Sequence, residues 1–193
     1  MAAADTAERV EVRSRAELRD WLARNHGRGE PVWLVTYKKS HPSYLPYEPI
    51  VEELICWGWI DSLTRKLDDD RTMLLISARR PDSAWSALNK AHVERARASG
   101  AMTPAGEAKV AVAVESGMWD FLDDVDQLQL PDDLTAALVR SGGRAAWDTW
   151  PRSVQRGTLE WIKLAKTAPT RARRIAEAAS AAGEGRRPAP FRR

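Results

Sequence analysis

The sequence predicts an α+β fold, with a small, mostly antiparallel sheet and helices in the N-terminal half and an all-helical C-terminal half. Three observations support this prediction. Residues 32–39 alternate β-branched and aromatic side chains, as a strand does. Residues 59–67 and 72–78 have the pattern of a hairpin, and every apolar pattern after residue 78 has helical spacing.

The N-terminal half begins with a predicted helix. Residues 14–17, Ser-Arg-Ala-Glu, match a capping box, and Gly27 is expected to end the helix. After the strand, the prolines and serine of residues 41–46 predict a loop. Pro49 then suits the first turn of a second helix, which Gly58 ends.

The hairpin and a series of helices complete the predicted elements. Three aspartates, residues 68–70, join the two strands of the hairpin. A helix capped by Asp82 or Ser83 follows and ends at Gly100. Further helices are predicted over residues 103–117, 131–140, 153–166 and 169–182.

Composition divides the chain into segments. Residues 1–119 are expected to form an α+β domain that contains the hairpin of residues 59–78. Residues 120–133 hold six aspartates and no basic residue, which indicates an acidic linker. This linker is interpreted either as a solvated segment or as carboxylates that face the basic C-terminal helices and fix the two halves together. Residues 134–183 form a helical region, and residues 184–193 predict a disordered basic tail.

Length and composition exclude several protein classes. The chain has 193 residues, of which 44% are hydrophobic and 30% charged, as in an ordinary globular protein. No apolar run approaches the roughly 18 residues that cross a membrane, and the first residues lack the features of a secretory signal. The single cysteine excludes an internal disulfide, and the three histidines fit no zinc spacing. We therefore predict a cytoplasmic protein without membrane insertion, metal or cofactor, and leave its oligomeric state open.

Positive charge is concentrated at the C-terminal end. Residues 151–193 carry 11 basic and 3 acidic residues, whereas the preceding 150 carry 19 and 24. Lys163, Lys166, Arg171 and Arg174 could follow a phosphate backbone, which makes nucleic-acid binding an alternative function. The other interpretation is a charged helix face that is neutralised by the acidic linker.

The hairpin brings an acid, a base and an indole towards the end that lies far from its turn. If the three aspartates form a three-residue loop, Asp61 pairs with Ser77 and Trp59 pairs with Arg79. These side chains then share one face of the hairpin. A shift of one residue would instead place Asp61 opposite Ile76 and weaken the hypothesis.

The two helices that flank the hairpin approach the same place. Mixed polar and aromatic groups that converge in this way typically line a small-molecule pocket, and adjacent arginines near a helix N-terminus suit a carboxylate or phosphate. We therefore predict a site for a small anionic or aromatic molecule. Its expected ligand-binding residues are Trp59, Asp61, Arg65, Arg79, Arg80, Trp85, Ser86 and Asn89.

Two alternatives to a binding pocket stay open. An aspartate and an arginine beside tryptophans also form structural ion pairs with cation–π contacts. An enzyme that uses the same pocket would employ Asp61 or Glu53 as its acid or base, although no motif identifies a reaction. Cys56 follows an apolar helix and is expected to be a small buried residue rather than a nucleophile.

Several sequence blocks resemble the YdeI/OmpD-associated family, also described as bacteriocin-protection proteins. The blocks stand in the family's order and cover roughly residues 15–185. In place of the proline-arginine-lysine pattern that the family more often shows, residues 78–81 are Ala-Arg-Arg-Pro, which retains the arginine. The blocks that carry the resemblance are residues 56–62, 78–80, 83–89, 100–106, 165–166 and 170–175.

The resemblance implies a general role rather than a mechanism. Members of the family are linked to tolerance of bacteriocins or cationic antimicrobial peptides and to an outer-membrane porin, with no agreed reaction or catalytic residues. It also implies that residues 134–183 form a helical region of the OmpD-associated type. We carry over the link to peptide tolerance as an expectation, and we do not carry over the porin partner.

Overall fold

The computed structural model of the protein describes residues 6–191. Within that range the chain forms nine α-helices and one four-stranded sheet. It divides into two compact units, Met1–Phe121 and Leu122–Arg193, so the boundary falls inside the acidic segment. None of the helices in the described range is both long enough and apolar enough to cross a membrane.

The sheet lies in the first unit. Its strands are β1 (Arg9–Glu11), β2 (Val32–Tyr37), β3 (Trp59–Lys66) and β4 (Arg71–Ala78). They lie in the order β1-β2-β4-β3. β1 runs parallel to β2, whereas β4 is antiparallel to both β2 and β3.

The predicted fold class is therefore wrong in its description of the sheet. The sheet is mixed, and helices and strands alternate along the chain from β1 to β3. The error has a physical cause: β1 has only three residues, too few for a visible alternation, and the helix after it lets β1 and β2 lie parallel. The overall α+β character and the helical C-terminal half agree with the prediction.

Four helices within residues 7–121 accompany the sheet in the first unit. They are α1 (Arg15–Asn25), α2 (Tyr47–Cys56), α3 (Ala87–Ala98) and α4 (Pro104–Glu115). The N-cap of the predicted capping box is confirmed, because the Ser14 hydroxyl accepts a hydrogen bond from the Glu17 N–H at 3.1 Å; the Glu17 carboxylate accepts from the N–H of Arg13 rather than of Ser14. The predicted cap of α3 is wrong, because Ser86 rather than Asp82 or Ser83 caps that helix.

One face of the sheet, called here the inward face, packs against α1 and α2. The helices contribute Leu18, Leu22, Ile50 and Leu54 to this core. The strands contribute Val10, Val32, Leu34, Trp59, Leu74 and Ile76. The inward face therefore supplies the main apolar core of the first unit.

The second unit is helical. Its helices are α5 (Asp123–Asp126), α6 (Asp132–Arg140), α7 (Arg144–Thr149), α8 (Arg152–Lys163) and α9 (Ala168–Gly183). α6, α8 and α9 correspond to predicted helices, whereas α5 and α7 are too short to show a periodic pattern. In the segment predicted to be a disordered tail, Ala189–Phe191 form a 3₁₀ helix, and a Cβ added at Gly157 would lie 2.7 Å from the Phe191 ring.

Candidate functional site

A β-bulge alters the predicted register of the hairpin. Thr64 pairs with Leu74, as predicted, but the register shifts between Asp61 and Thr64. Asp61 therefore pairs with Ile76 and not with Ser77, so the predicted register is wrong beyond the bulge. The extra residue in the bulge also reverses the alternation of side chains, so β3 residues on its two sides exchange faces.

Three of the predicted ligand-binding residues lie apart from the others. Arg65 lies on the opposite face of the sheet, with its guanidinium 5.1 Å from the centre of the Trp33 ring. Arg80 is exposed and forms an ion pair with Asp82 at 3.3 Å. The Ser86 hydroxyl caps α3 by accepting a hydrogen bond from the backbone of that helix. The predicted pair of adjacent arginines therefore does not act as one anion-binding group.

Arg79 is the most unusual side chain of the predicted site. It is only 2% exposed, and its guanidinium lies 3.8 Å from the centre of the Trp85 ring. Its Nη1 donates a hydrogen bond to the carbonyl of Ala84 at 3.0 Å, while Nε and Nη2 have no acceptor among the described residues. Burial lowers the pKa of Arg79 to about 10, and Asp61 opposes this effect. Arg79 is thus a buried cation with unsatisfied donors.

The structure brings Trp59, Asp61, Arg79 and Asn89 together around one small void. The void measures about 10 Å³, which is about enough for a single water molecule. Asp61 and Arg79 both line the void, so an acidic and a basic side chain lie at its wall. A single bridging water would satisfy Arg79, whereas a ring-sized ligand does not fit here.

The two indoles of the predicted site are core residues. Trp59 is fully buried, and its N–H donates a hydrogen bond to the carbonyl of His26 at 3.0 Å. Trp85 is 1% exposed and packs against Trp119, with ring centres 5.2 Å apart. Neither ring has a free face on which a ligand could stack. The predicted stacking role therefore has no place in this geometry.

Two glycines permit the close backbone contacts that position the start of β3, where Trp59 lies. Gly58 has a φ of +72°, a conformation that favours glycine, and a Cβ there would lie 2.5 Å from the Lys109 side chain. A Cβ at Gly106 would lie 2.4 Å from the carbonyl oxygen of Cys56. That carbonyl accepts a hydrogen bond from the Thr103 hydroxyl at 2.6 Å. The close contact of α4 with the end of α2 thus fixes the start of β3.

Glu53 and Cys56, on α2, have structural environments. The two carboxylate oxygens of Glu53 accept hydrogen bonds from Arg15 at 2.8 Å and from Arg19 at 2.5 Å. Glu53 is buried, so these arginines compensate its charge. Cys56 is also buried, and burial raises the pKa of its thiol to about 11. Little thiolate therefore exists at neutral pH.

A much larger cavity lies elsewhere over the inward face, and we call it the threonine cavity. Its volume is about 360 Å³, within the range of small-molecule sites. Three threonines from three strands form its floor, and tyrosines and lysines lie around it. Its lining residues are Thr36, Tyr37, Lys38, Lys39, Tyr44, Leu45, Tyr47, Ile50, Thr64, Thr72 and Leu74.

The threonine cavity exists because the inward face changes character along the sheet. Towards α1 and α2 the face consists of residues such as Leu34 and Ile76, which are fully buried. Towards the turn of the hairpin, Thr36 and Thr72 are direct cross-strand partners, and Thr64 lies on the same face. Threonine keeps the strand conformation while it presents a hydroxyl group. The face is thus polar where the cavity opens.

The loop between β2 and α2 borders the threonine cavity and is itself ordered by contacts. Tyr44 forms a bridge with Tyr37, and the Tyr37 and His41 rings are stacked with centres 3.9 Å apart. Lys38 is committed to structure, because its Nζ donates hydrogen bonds to the carbonyls of Asp68 and Asp69, both at 2.7 Å. Lys39, the other lysine of the lining, is exposed.

Tyr47 connects the threonine cavity to the predicted site. Its ring lines the cavity, and its hydroxyl donates a hydrogen bond to Oδ2 of Asp61 at 2.8 Å. Sequence reasoning missed the cavity because it searched for charged and indole groups. The signal that could have found it is Thr36, which occupies an inward position in the alternation of β2, after Val32 and Leu34.

Several basic residues of the second unit form ion pairs within that unit. Of the four residues proposed to contact nucleic acid, Lys163 pairs with Asp124 at 2.6 Å and Arg171 pairs with Asp133 at 2.8 Å. Arg174 donates a hydrogen bond to the carbonyl of Trp161. Of the two interpretations of the acidic linker, these contacts agree with carboxylates that face the basic helices.

Two segments of the chain, one in each unit, match known protein families. Residues 127–185 match the family described as "Bacteriocin-protection, YdeI or OmpD-Associated". Residues 10–109, more than half of the chain, match a family described as "Domain of unknown function (DUF8412)". The chain therefore belongs to the family of this domain of unknown function, and its residues 127–185 are similar to the YdeI/OmpD-associated family. No curated protein and no solved structure matches it.

The resemblance to the YdeI/OmpD-associated family is thus confirmed, through the second unit. Of the sequence blocks that carry the resemblance, residues 165–166 and 170–175 lie within the matched segment. The blocks around the hairpin lie mostly within the segment that matches the domain of unknown function. Family membership therefore assigns no ligand to the first unit, and the cytoplasmic location stays a prediction.

Proposed function

We propose that this protein, whose residues 127–185 match the YdeI/OmpD-associated family, binds a small aromatic molecule with an anionic group in the threonine cavity of its first unit. The ligand is still small, and anionic or aromatic, as predicted from the sequence, but the proposed binding site is the threonine cavity rather than the void beside Arg79. The observation that carries it is a cavity of about 360 Å³ over hydroxyl groups on an otherwise apolar sheet face. A polar floor inside an apolar layer gives a ligand both orientation and burial.

The lining residues suit such a molecule. The rings of Tyr44 and Tyr47 are partly exposed and offer aromatic surfaces. The hydroxyl of Thr36 is a neutral donor and acceptor for a polar substituent. Lys39 is an exposed cation at the cavity, where it attracts a carboxylate or phosphate.

The group around Arg79 is less suited to the ligand itself. Its void of about 10 Å³ accommodates about one water molecule. Asp61 and Arg79 bring opposite charges to its wall, so an added anion would gain little attraction. We assign this group to the support of the threonine cavity rather than to direct contact with the ligand.

The family description names bacteriocin protection, and we extend this role to the chain as part of the proposal. On this view, the small molecule bound by the first unit is part of how the protein contributes to tolerance. Nothing in the geometry requires a covalent reaction. Binding alone accounts for the arrangement of the lining residues.

Filling the threonine cavity provides the test. We expect the protein to bind at least one member of a panel of benzoic and indole carboxylic acids, with 4-aminobenzoate as the first probe, in isothermal titration calorimetry. Thr64→Leu places a larger apolar side chain on the floor of the cavity and should weaken binding at least about tenfold, or about 1.4 kcal/mol. It should also reduce survival of a bacteriocin-exposed bacterium that depends on the protein.

Thr149→Leu is the matched control, because it makes the same change at an exposed threonine of the second unit. It should leave both measurements unchanged. Absence of binding by the whole panel at millimolar concentration, or equal binding by both variants, would contradict the proposed function.

A further inference from the structure

The hydroxyl of Tyr47 acts as a hydrogen-bond donor to another side chain. A phenol has one proton, and that of Tyr47 is donated to Oδ2 of Asp61 at 2.8 Å. The ring of the same residue lines the threonine cavity. Its oxygen therefore presents only lone pairs to a ligand, although a free tyrosine can both donate and accept.

Arg79 lies near Asp61 and interacts electrostatically with its carboxylate. Both residues line the same small void, and the guanidinium of Arg79 is 2% exposed with two donor nitrogens unsatisfied among the described residues. A water in the void would complete a chain from Arg79 through Asp61 to Tyr47.

The phenol also keeps its proton. Desolvation and the neighbouring carboxylate of Asp61 together raise the pKa of Tyr47 to about 12. Across the neutral range, the donor in this hydrogen bond is therefore Tyr47 and the acceptor is Asp61.

We propose that Tyr47 is a specificity-determining residue, which selects ligands that carry an O–H or N–H donor at the point where they meet its oxygen. The inference rests on the proposed function, because it concerns ligands of the threonine cavity. If a ligand has only an acceptor at that point, its lone pairs meet those of the Tyr47 oxygen. The hydrogen bond is then lost, and the repulsion between the two acceptors weakens binding further.

Two acids that differ in one substituent provide the test. 4-Aminobenzoate carries N–H donors opposite its carboxylate, whereas 4-nitrobenzoate carries only acceptors there. We expect the wild-type protein to prefer 4-aminobenzoate about tenfold in titration calorimetry. Tyr47→Phe should make the two affinities equal, because it removes the oxygen and keeps the ring.

Asp61→Asn sharpens the test. The amide can donate to the oxygen of Tyr47, which frees the phenol proton to point at the ligand. We expect the preference to shift towards 4-nitrobenzoate by at least tenfold relative to the wild type. Circular dichroism of each variant checks that it is folded.

The outcomes separate this inference from the proposed function. If both acids bind the wild type equally, or if the preference persists in Tyr47→Phe, the inference is wrong while binding in the cavity stands. If neither acid nor the rest of the panel binds, or if Thr64→Leu leaves binding intact, the proposed function itself is wrong.

Discussion

The two ends of the inward face of the sheet differ in how tightly their side chains are packed. At one end, Leu34 and Ile76 are fully buried beneath α1 and α2, and the neighbouring void measures about 10 Å³. At the other end, Thr36 and Thr72 face a cavity of about 360 Å³. The comparison shows that unfilled volume and hydroxyl groups lie at one end of the face, whereas the charged and indole side chains predicted to bind a ligand lie at the packed end.

The largest expected difference between the two ends concerns stability. Leu34→Ala removes packed atoms from the filled end and should reduce the free energy of unfolding by about 2–5 kcal/mol. Thr36→Ala, two residues along the same strand, should reduce it by less than about 1 kcal/mol, because the side chain borders a cavity. Urea denaturation of both variants measures the difference. Equal losses would show that the cavity end is packed as tightly as the other.

Much of the first unit could be predicted from its sequence. The N-cap of α1, the alternation in β2 and the turn end of the hairpin are local patterns, and each is confirmed. The bulge after Asp61 has no local signature, because it depends on how the two strands meet. β1 was missed for a related reason: three residues become a strand only because β2 lies beside them.

The candidate site could be predicted only in part. The sequence brought Asp61 and Arg79 to one place, and the structure does so too, through the void that they share. The sequence could not show that the Trp59 side chain is fully buried in the core, or that Arg65 lies on the opposite face of the sheet. Cavity volume is a property of the packed fold, so no spacing rule finds the threonine cavity directly.

The smallest expected effect concerns the charge at the threonine cavity. Lys39→Gln should weaken binding of 4-aminobenzoate about threefold to fivefold, or about 1 kcal/mol, because an exposed ion pair contributes little. Binding of the neutral 4-aminobenzamide should not change. Calorimetry at low and at high salt provides the control, since the effect should shrink as the ionic strength rises.

A uniform loss for the acid and the amide would contradict this role of Lys39. It would indicate that the substitution disturbs the loop between β2 and α2 rather than the charge of the site. Lys38 is unsuited to the same experiment, because its ammonium group holds the turn of the hairpin.

The most direct test of the central claim is methyl NMR of the protein during titration with 4-aminobenzoate. The account predicts that the methyl signals of Thr36, Thr64 and Thr72 shift together, while those of Ile55 and Leu54 beside Arg79 stay in place. Shifts confined to Ile55 and Leu54 would locate the ligand at the small void and contradict the account.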